Sequence, residues 1–257
     1  YDLVYQYEDE YGCSDTAQRS VYVEELPQAA TSATVDISAY CIADQPATIT
    51  LECVGPNDSY VWYADDFTGP ALGNTKILTI AAPAVTTEYL VRSETFCGNS
   101  AEMSIMVTVF DNPVADFSVA DICENESAVF TALSQIASGT ITQWEWDFGD
   151  GSPTSNLQNP SHTFVGYGSQ TINLTVTSNN NCLHNQSMSM EVHDLPTASF
   201  TANSACLGES TEFINTSTAP VSTITSYEWD IDGNQYLTQD VSHTFASSGS
   251  YNVSLMA

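Results

Sequence analysis

Apolar and polar residues alternate along most of this chain in short runs. Thr48-Ile49-Thr50-Leu51-Glu52-Cys53, Thr171-Ile172-Asn173-Leu174-Thr175-Val176 and Met188-Ser189-Met190-Glu191-Val192 place an apolar side chain at every second position. That spacing puts them on one face of a β-strand. Further strands are predicted at Tyr60-Val61-Trp62-Tyr63, Lys76-Ile77-Leu78-Thr79-Ile80, Glu88-Tyr89-Leu90-Val91-Arg92, Ala115-Asp116-Phe117-Ser118-Val119 and Ser127-Ala128-Val129-Phe130-Thr131. In Trp144-Glu145-Trp146-Asp147-Phe148 the three aromatic rings lie two residues apart, so they share a face and a core. No apolar run reaches the length that spans a bilayer, so no membrane-spanning segment is expected.

The pattern repeats. Proline-marked joints follow an alternating strand at Glu24-Glu25-Leu26-Pro27, Phe110-Asp111-Asn112-Pro113 and His193-Asp194-Leu195-Pro196. A spacing of roughly 85 residues, built of short strands, predicts a string of small immunoglobulin-like sandwiches. The chain has 257 residues, too many for one such unit and suited to about three. The fold class expected is all-β, tandem sandwiches in an elongated array. The units are 1–26, the closing hairpin of a partial domain; 27–112, a divergent domain; 113–195, a complete domain; and 196–257, a domain lacking its last strands.

Charge narrows the partners. Against 32 acidic residues stand 3 basic ones, Arg19, Lys76 and Arg92, for a formal net charge of −29. Such a surface repels phosphate and argues against nucleic acid. Lateral contacts between such chains should need salt or divalent cations to screen them.

The seven cysteines follow the repeat. Cys41, Cys123 and Cys206 come early in their units; Cys13, Cys97 and Cys182 come shortly before the next joint. No Cys-x-x-Cys or Cys/His cluster has zinc-ligand spacing. One early and one late cysteine per unit reads as one disulfide per unit, Cys41–Cys97 and Cys123–Cys182. Each would close a loop of roughly 60 residues worth about 4 kcal/mol and imply an oxidising, extracellular setting. Cys13 and Cys206 would find partners outside this copy of the chain. Cys53, alternating with Ile49 and Leu51, reads as a buried free thiol.

Residues 113–195 carry the string Trp146-Asp147-Phe148-Gly149-Asp150-Gly151, then Asn159-Pro160-Ser161-His162-Thr163-Phe164, then Gly168 before a valine-containing strand. These strings resemble the PKD (polycystic kidney disease) family of immunoglobulin-like domains. Residues 196–257 repeat them as Tyr227-Glu228-Trp229-Asp230-Ile231-Asp232-Gly233, Ser242-His243-Thr244-Phe245 and Gly249, with one turn glycine lost. Residues 27–112, with Trp62 as core tryptophan, resemble the immunoglobulin-like modules that accompany PKD repeats in large bacterial surface proteins. The resemblance implies a surface adhesin or filament of the kind common in Bacteroidota, exported by the type IX route and associated with gliding motility.

Candidate chemistry is sparse. Asp147, Asp150, Asp230 and Asp232 sit at or beside turns and are the only candidates for Ca²⁺; turn formation is the preferred reading of them, and the family motif does not demand calcium. No other cofactor or metal is expected. His162 and His243 recur at one repeat position without a nucleophile or acid constellation beside them, which points to a structural hydrogen bond and away from an enzyme. Tyr60, Trp62 and Tyr63 could stack on sugar, with Tyr63 on the outer face as the exposed candidate. Several Asn-x-Ser/Thr strings and one Asp15-Thr16-Ala17 string offer glycosylation patterns.

The function expected is a non-catalytic extracellular stalk or filament segment, stiffened by short proline joints and one disulfide per domain. The alternatives are an adhesive module binding glycan or a surface, and accessory domains of a secreted hydrolase. The expected partners are adjacent repeats of the same protein. Tyr1-Asp2-Leu3-Val4-Tyr5 matches the pattern of Tyr251-Asn252-Val253-Ser254-Leu255, and Tyr11-Gly12-Cys13 takes the place of Asn181-Cys182. Two situations produce that register. Either the chain is a window on one covalent array, or the hairpin of one copy completes residues 196–257 of the next, head to tail.

Overall fold

A computed structural model describes residues 1–257. Its regular structure is almost entirely β-strand, and the only helical element is the single 3-10 turn Ile42–Asp44. The chain separates into two compact units, Tyr1–Asn112 and Pro113–Ala257.

In the first unit, Asp2–Glu8 and Ser14–Ser20 form a two-stranded antiparallel hairpin in which every strand residue is exposed. Residues 27–112 form a sandwich. One sheet orders Ser32–Val35, Thr48–Val54 and Ile77–Ala81; the other orders Ala39–Cys41, Met103–Phe110, Thr87–Arg92 and Val61–Ala64. Alternation decides what is buried: Ile49, Leu51 and Cys53 point inward from one strand and meet Trp62, Tyr89, Val91 and Val107 from the facing sheet.

In the second unit, residues 113–195 build a four-stranded sheet in the order Ile122–Cys123, Leu183–His193, Gly168–Ser178 and Ile141–Asp147. Two short pairs lie beside it, Phe117–Ser118 with Thr131–Ala132 and Ser127–Val129 with Ser161–Thr163. Ile172, Leu174 and Val176 from the long strand join Phe117, Phe130, Trp146, Phe148 and Phe164 in the core. Trp144 faces the same side but is only partly buried. Residues 196–257 form two three-stranded sheets, one ordering Phe200–Ala202, Thr211–Asn215 and Val241–His243, the other Asn234–Tyr236, Glu228–Ile231 and Val253–Met256. Their core is Phe213, Trp229, Ile231 and Val241.

The topology corrects the expected disulfides. Cys97 and Cys123 are free thiols, so neither Cys41–Cys97 nor Cys123–Cys182 forms. The reason is a short parallel strand that sequence periodicity does not reveal. Ile122–Cys123 runs alongside the end of the last strand, with Cys123 opposite His193. Cys182 lies in the turn that begins that same strand, Leu183–His193. Ten steps of extended chain separate the two by roughly 30 Å, far beyond the ~7 Å limit between the Cα atoms of a disulfide. Residues 27–112 repeat the geometry: Cys41 lies opposite Phe110 at the end of Met103–Phe110, and Cys97 lies in the hairpin that precedes it. Cys41 and Cys182 are both disulfide-bonded. Cys13 and Cys206 are exposed thiols, and Cys53 is a buried free thiol whose pKa burial pushes up.

Candidate functional site

One tryptophan organises each sandwich. Trp62, Trp146 and Trp229 are completely buried. Each indole Nε1–H donates to a backbone carbonyl of the segment that follows: Trp62 to Thr75 at 2.9 Å, Trp146 to Leu157 at 2.9 Å and Trp229 to Thr238 at 3.0 Å. A large ring fills the core while its one polar group is satisfied, and the following loop is fixed over the sheet.

Beyond Trp146 the chain turns sharply. Gly149 N–H donates to Asp147 Oδ1 at 3.0 Å, and Ser152 N–H to Asp150 Oδ1 at 3.0 Å. Gly149 has φ +77°, and a Cβ there would stand 2.3 Å from the Thr171 carbonyl oxygen. Only glycine fits, because both the left-handed backbone and the close approach exclude a side chain. The other Asp150 oxygen lies 2.7 Å from His162 Nε2, with both side chains largely covered, and the imidazole stacks on Phe148 with centroids 4.1 Å apart. Partial burial raises the Asp150 pKa, but hydrogen bonds from Ser152 and His162 outweigh it and bring it down to about 2.

Residues 196–257 solve the same turn differently. Asp232 and Gly233, both with positive φ, form a two-residue hairpin loop joining Glu228–Ile231 to Asn234–Tyr236. Gly233 N–H donates to Asp230 Oδ1 at 3.2 Å. His243 loses its carboxylate partner and instead lies 2.9 Å through Nδ1 from the Tyr236 hydroxyl. The missing turn glycine signals this change in the sequence.

The joints are tied into the sandwiches. Asp194, in His193-Asp194-Leu195-Pro196, is buried, and its carboxylate accepts from Val221 N–H at 3.0 Å and from Ser222 N–H at 3.2 Å. The Val221 hydrogen bond is the largest cause of its lowered pKa. Asn112 Oδ1, in the preceding joint, accepts from Ala43 N–H at 2.9 Å. Sequence reading noticed the prolines and missed these side chains; an Asx residue directly before a joint is the signal that would find them.

Residues 111–192 and 193–257 each match the family model for the PKD domain. The chain belongs to the PKD-domain family. Among solved structures it is similar to the PKD1 domain of the Vibrio cholerae metalloprotease PrtV, at 30% identity over 32% of this chain and 96% of that one, with a TM-score of 0.29. The PKD1 domain of Vibrio anguillarum Epp gives 26% identity over 33% and 96%, with a TM-score of 0.30. A Ca²⁺-stabilised adhesin that helps an Antarctic bacterium reach out and bind ice gives 12% identity over 94% and 72%, with a TM-score of 0.42.

Within the two PKD segments, Asp147 and Asp150 direct carboxylate oxygens to turn amides and to His162, and Asp230 directs one to Gly233. No group of three or more His, Cys, Asp or Glu side chains is placed to hold a metal ion. His162 and His243 each contact a single polar cluster within the fold. Outside the PKD segments, the structure corrects the expected exposure of Tyr63. The ring is buried and packs edge-on against Phe67 at 5.1 Å, and its hydroxyl donates to Glu94 Oε1 at 2.8 Å. Arg92 completes the cover, 3.8 Å from the Phe67 centroid and 2.8 Å from Glu94. Tyr60 and Trp62 are wholly buried, so none of the three aromatics is free to stack on a sugar. No helix is long and apolar enough to cross a membrane.

Proposed function

We propose that this chain is a load-bearing segment of an extracellular stalk or filament, and that its PKD domains transmit force without catalysis. The observation that carries the reading is the buried Asp194 carboxylate. It anchors a joint residue to the backbone of the loop at Val221 and Ser222, so the joint is a braced element rather than a free linker. Bonded Cys41 and Cys182 fit an oxidising compartment, and a net charge of −29 keeps such chains apart in solution. Stiffness resides in the joints and the tryptophan-centred cores. Disulfides within a domain play no part, because the early and late cysteines of a domain stand too far apart.

Single-molecule pulling on the full chain tests this. The wild type is expected to unfold in discrete steps with little compliance before the first one. Asp194→Ala is expected to add low-force compliance without removing a step. Smooth extension of the wild type at low force would refute the load-bearing reading.

A further inference from the structure

Four cysteines, Cys41, Cys97, Cys123 and Cys182, lie beside a joint. Cys123 is opposite His193, and the next residue, Glu124, donates its N–H to the His193 carbonyl at 2.8 Å. It therefore sits next to the joint that leads into residues 196–257. Cys97 belongs to the other end of its sandwich: its Sγ is 3.9 Å from the carbonyl oxygen of Glu24 and 3.9 Å from the Glu24 carboxylate, in the joint that leads into residues 27–112. Both thiols are part-exposed and free.

The two bonded cysteines occupy the matching places. Cys41 is opposite Phe110, directly before the Asp111-Asn112-Pro113 joint. Cys182 closes a turn next to His184, whose Nδ1 accepts from Ala115 N–H at 2.9 Å, directly after that joint. An early cysteine thus borders the joint leaving its sandwich, and a late cysteine borders the joint entering it. These are the places where Cys41 and Cys182 are oxidised.

The turns that present them also match. In the late position, Ser178 N–H donates to the Cys182 carbonyl at 2.9 Å and Asn181 N–H to the Ser178 carbonyl at 3.0 Å. Asp9 N–H donates to Cys13 at 2.9 Å and Gly12 N–H to Asp9 at 3.0 Å in the same way. In the early position, Glu126 N–H donates to Cys123 at 3.1 Å and Glu209 N–H to Cys206 at 2.9 Å.

We propose that Cys97 and Cys123 are the attachment points of disulfides to neighbouring repeats. Cys97 bonds to the early-position cysteine of the repeat before Pro27, the position Cys206 represents. Cys123 bonds to the late-position cysteine of the repeat after Pro196, the position Cys13 represents. Each bond forms as two thiols lose two protons and two electrons to an oxidised dithiol catalyst, whose own disulfide is reduced to two thiols. The array is then stapled across its joints, between domains rather than within them. The same polarity separates Cys206 from Cys13 within one completed repeat, so those two do not pair with each other. This inference holds whether or not the array bears load.

Peptide mapping of the native protein, alkylated before any reduction, decides the matter. The Cys97 peptide is expected to be linked to an early-position peptide of the Cys206 type, and the Cys123 peptide to a late-position peptide of the Cys13 type. Both linked species should vanish on reduction. A Cys97–Cys41 or Cys123–Cys182 link, or full alkylation of Cys97 and Cys123 before reduction, would overturn the proposal. Cys97→Ser and Cys123→Ser should each delete one linked peptide while leaving the urea midpoint of their own sandwich unchanged. A lowered midpoint of the variant's own sandwich would likewise count against it.

Discussion

Residues 113–195 and 196–257 match one family model, yet they share less than that suggests. In the first, Gly168–Ser178 is paired on both sides, and the neighbouring Leu183–His193 contributes Met190 and Val192 to the core. In the second, Glu228–Ile231 is the central strand, between Asn234–Tyr236 and Val253–Met256. A glycine-locked turn with an Asp150–His162 pair becomes a two-residue hairpin with a Tyr236–His243 contact. What does not change is the tryptophan, buried and donating to the loop that follows it. The comparison teaches that the tryptophan and its hydrogen bond define the fold, while the turn beyond it is one of several ways to close the same sheet edge.

The largest effect should come from removing that constant element. Trp146→Ala and Trp229→Ala each delete a fully buried indole, a change that costs about 3–5 kcal/mol. Both segments should be weakened, since each tryptophan is wholly buried and hydrogen-bonded to the loop that follows it. Hydrogen exchange can follow Ile141–Asp147 and Glu228–Ile231 separately in the full chain. If Glu228–Ile231 keeps its protection in Trp229→Ala, the tryptophan is not the organising residue.

The two turn glycines separate the regions next. Gly149 and Gly233 have nearly the same φ, +77° and +78°, but a Cβ at Gly233 would meet nothing within 4 Å. Alanine in the left-handed region costs about 1–2 kcal/mol at either position. At Gly149 the approach to Thr171 adds backbone displacement, for a total of about 2–4 kcal/mol. Urea titration of Gly149→Ala and Gly233→Ala should rank them in that order. Equal losses would mean that the Gly149 turn moves away freely and is not locked against its neighbour strand.

These regions also show where sequence reading reaches and where it stops. Alternation locates the strands because side-chain direction has period two, and Trp62, Trp146 and Trp229 stand out as core residues for that reason. The lost glycine correctly signals a different turn at Asp232-Gly233. The cysteine pairing is illegible because Ile122–Cys123 is two residues long, too short for any period, yet its parallel pairing sets which end of the sandwich Cys123 occupies. Tyr63 fails for another reason. Alternation separates it from Trp62, but Phe67, Arg92 and Glu94 arrive from other parts of the chain and cover it. The arginine and glutamate two apart on either side of Ser93 are the available hint, since one charge pair over an aromatic ring makes a lid.

Acid should distinguish the two histidine environments. The Asp150 pKa falls to about 2 in the folded protein from an ordinary 3.8. A carboxylate with a depressed folded pKa contributes stability that is fully present above its unfolded pKa. That contribution is lost as pH falls from about 4 toward 2. Discounted for its partial exposure, it amounts to roughly 1 kcal/mol. Asp150→Asn should therefore flatten the acid limb of stability for residues 113–195 and leave residues 196–257, where His243 faces Tyr236, unchanged. Hydrogen exchange of Ser161–Thr163 and Val241–His243 between pH 5 and pH 2 measures both at once. An unchanged acid limb in Asp150→Asn would show that another carboxylate carries the transition.

The smallest effect lies two residues before the buried tryptophan of residues 113–195. Trp144 shares a face with Trp146, but its Nε1 is buried without a hydrogen-bond partner. The matching residue of the next PKD segment is Tyr227, a part-buried ring that carries no indole N–H. A buried donor left unsatisfied costs about 1–3 kcal/mol, which offsets much of what the larger ring gains by packing. Trp144→Phe should then be neutral or stabilising by up to about 1 kcal/mol, because it removes the orphan donor along with some apolar area. Trp146→Phe, by contrast, should destabilise, since it breaks the bond to Leu157 and leaves a void where packing is complete. Denaturant midpoints of the two variants settle whether one strand carries one essential indole or two. A loss above about 1 kcal/mol in Trp144→Phe would mean that the ring packs too well for its unpaired donor to matter. The division between a constant tryptophan and a variable neighbour would then have to be drawn elsewhere.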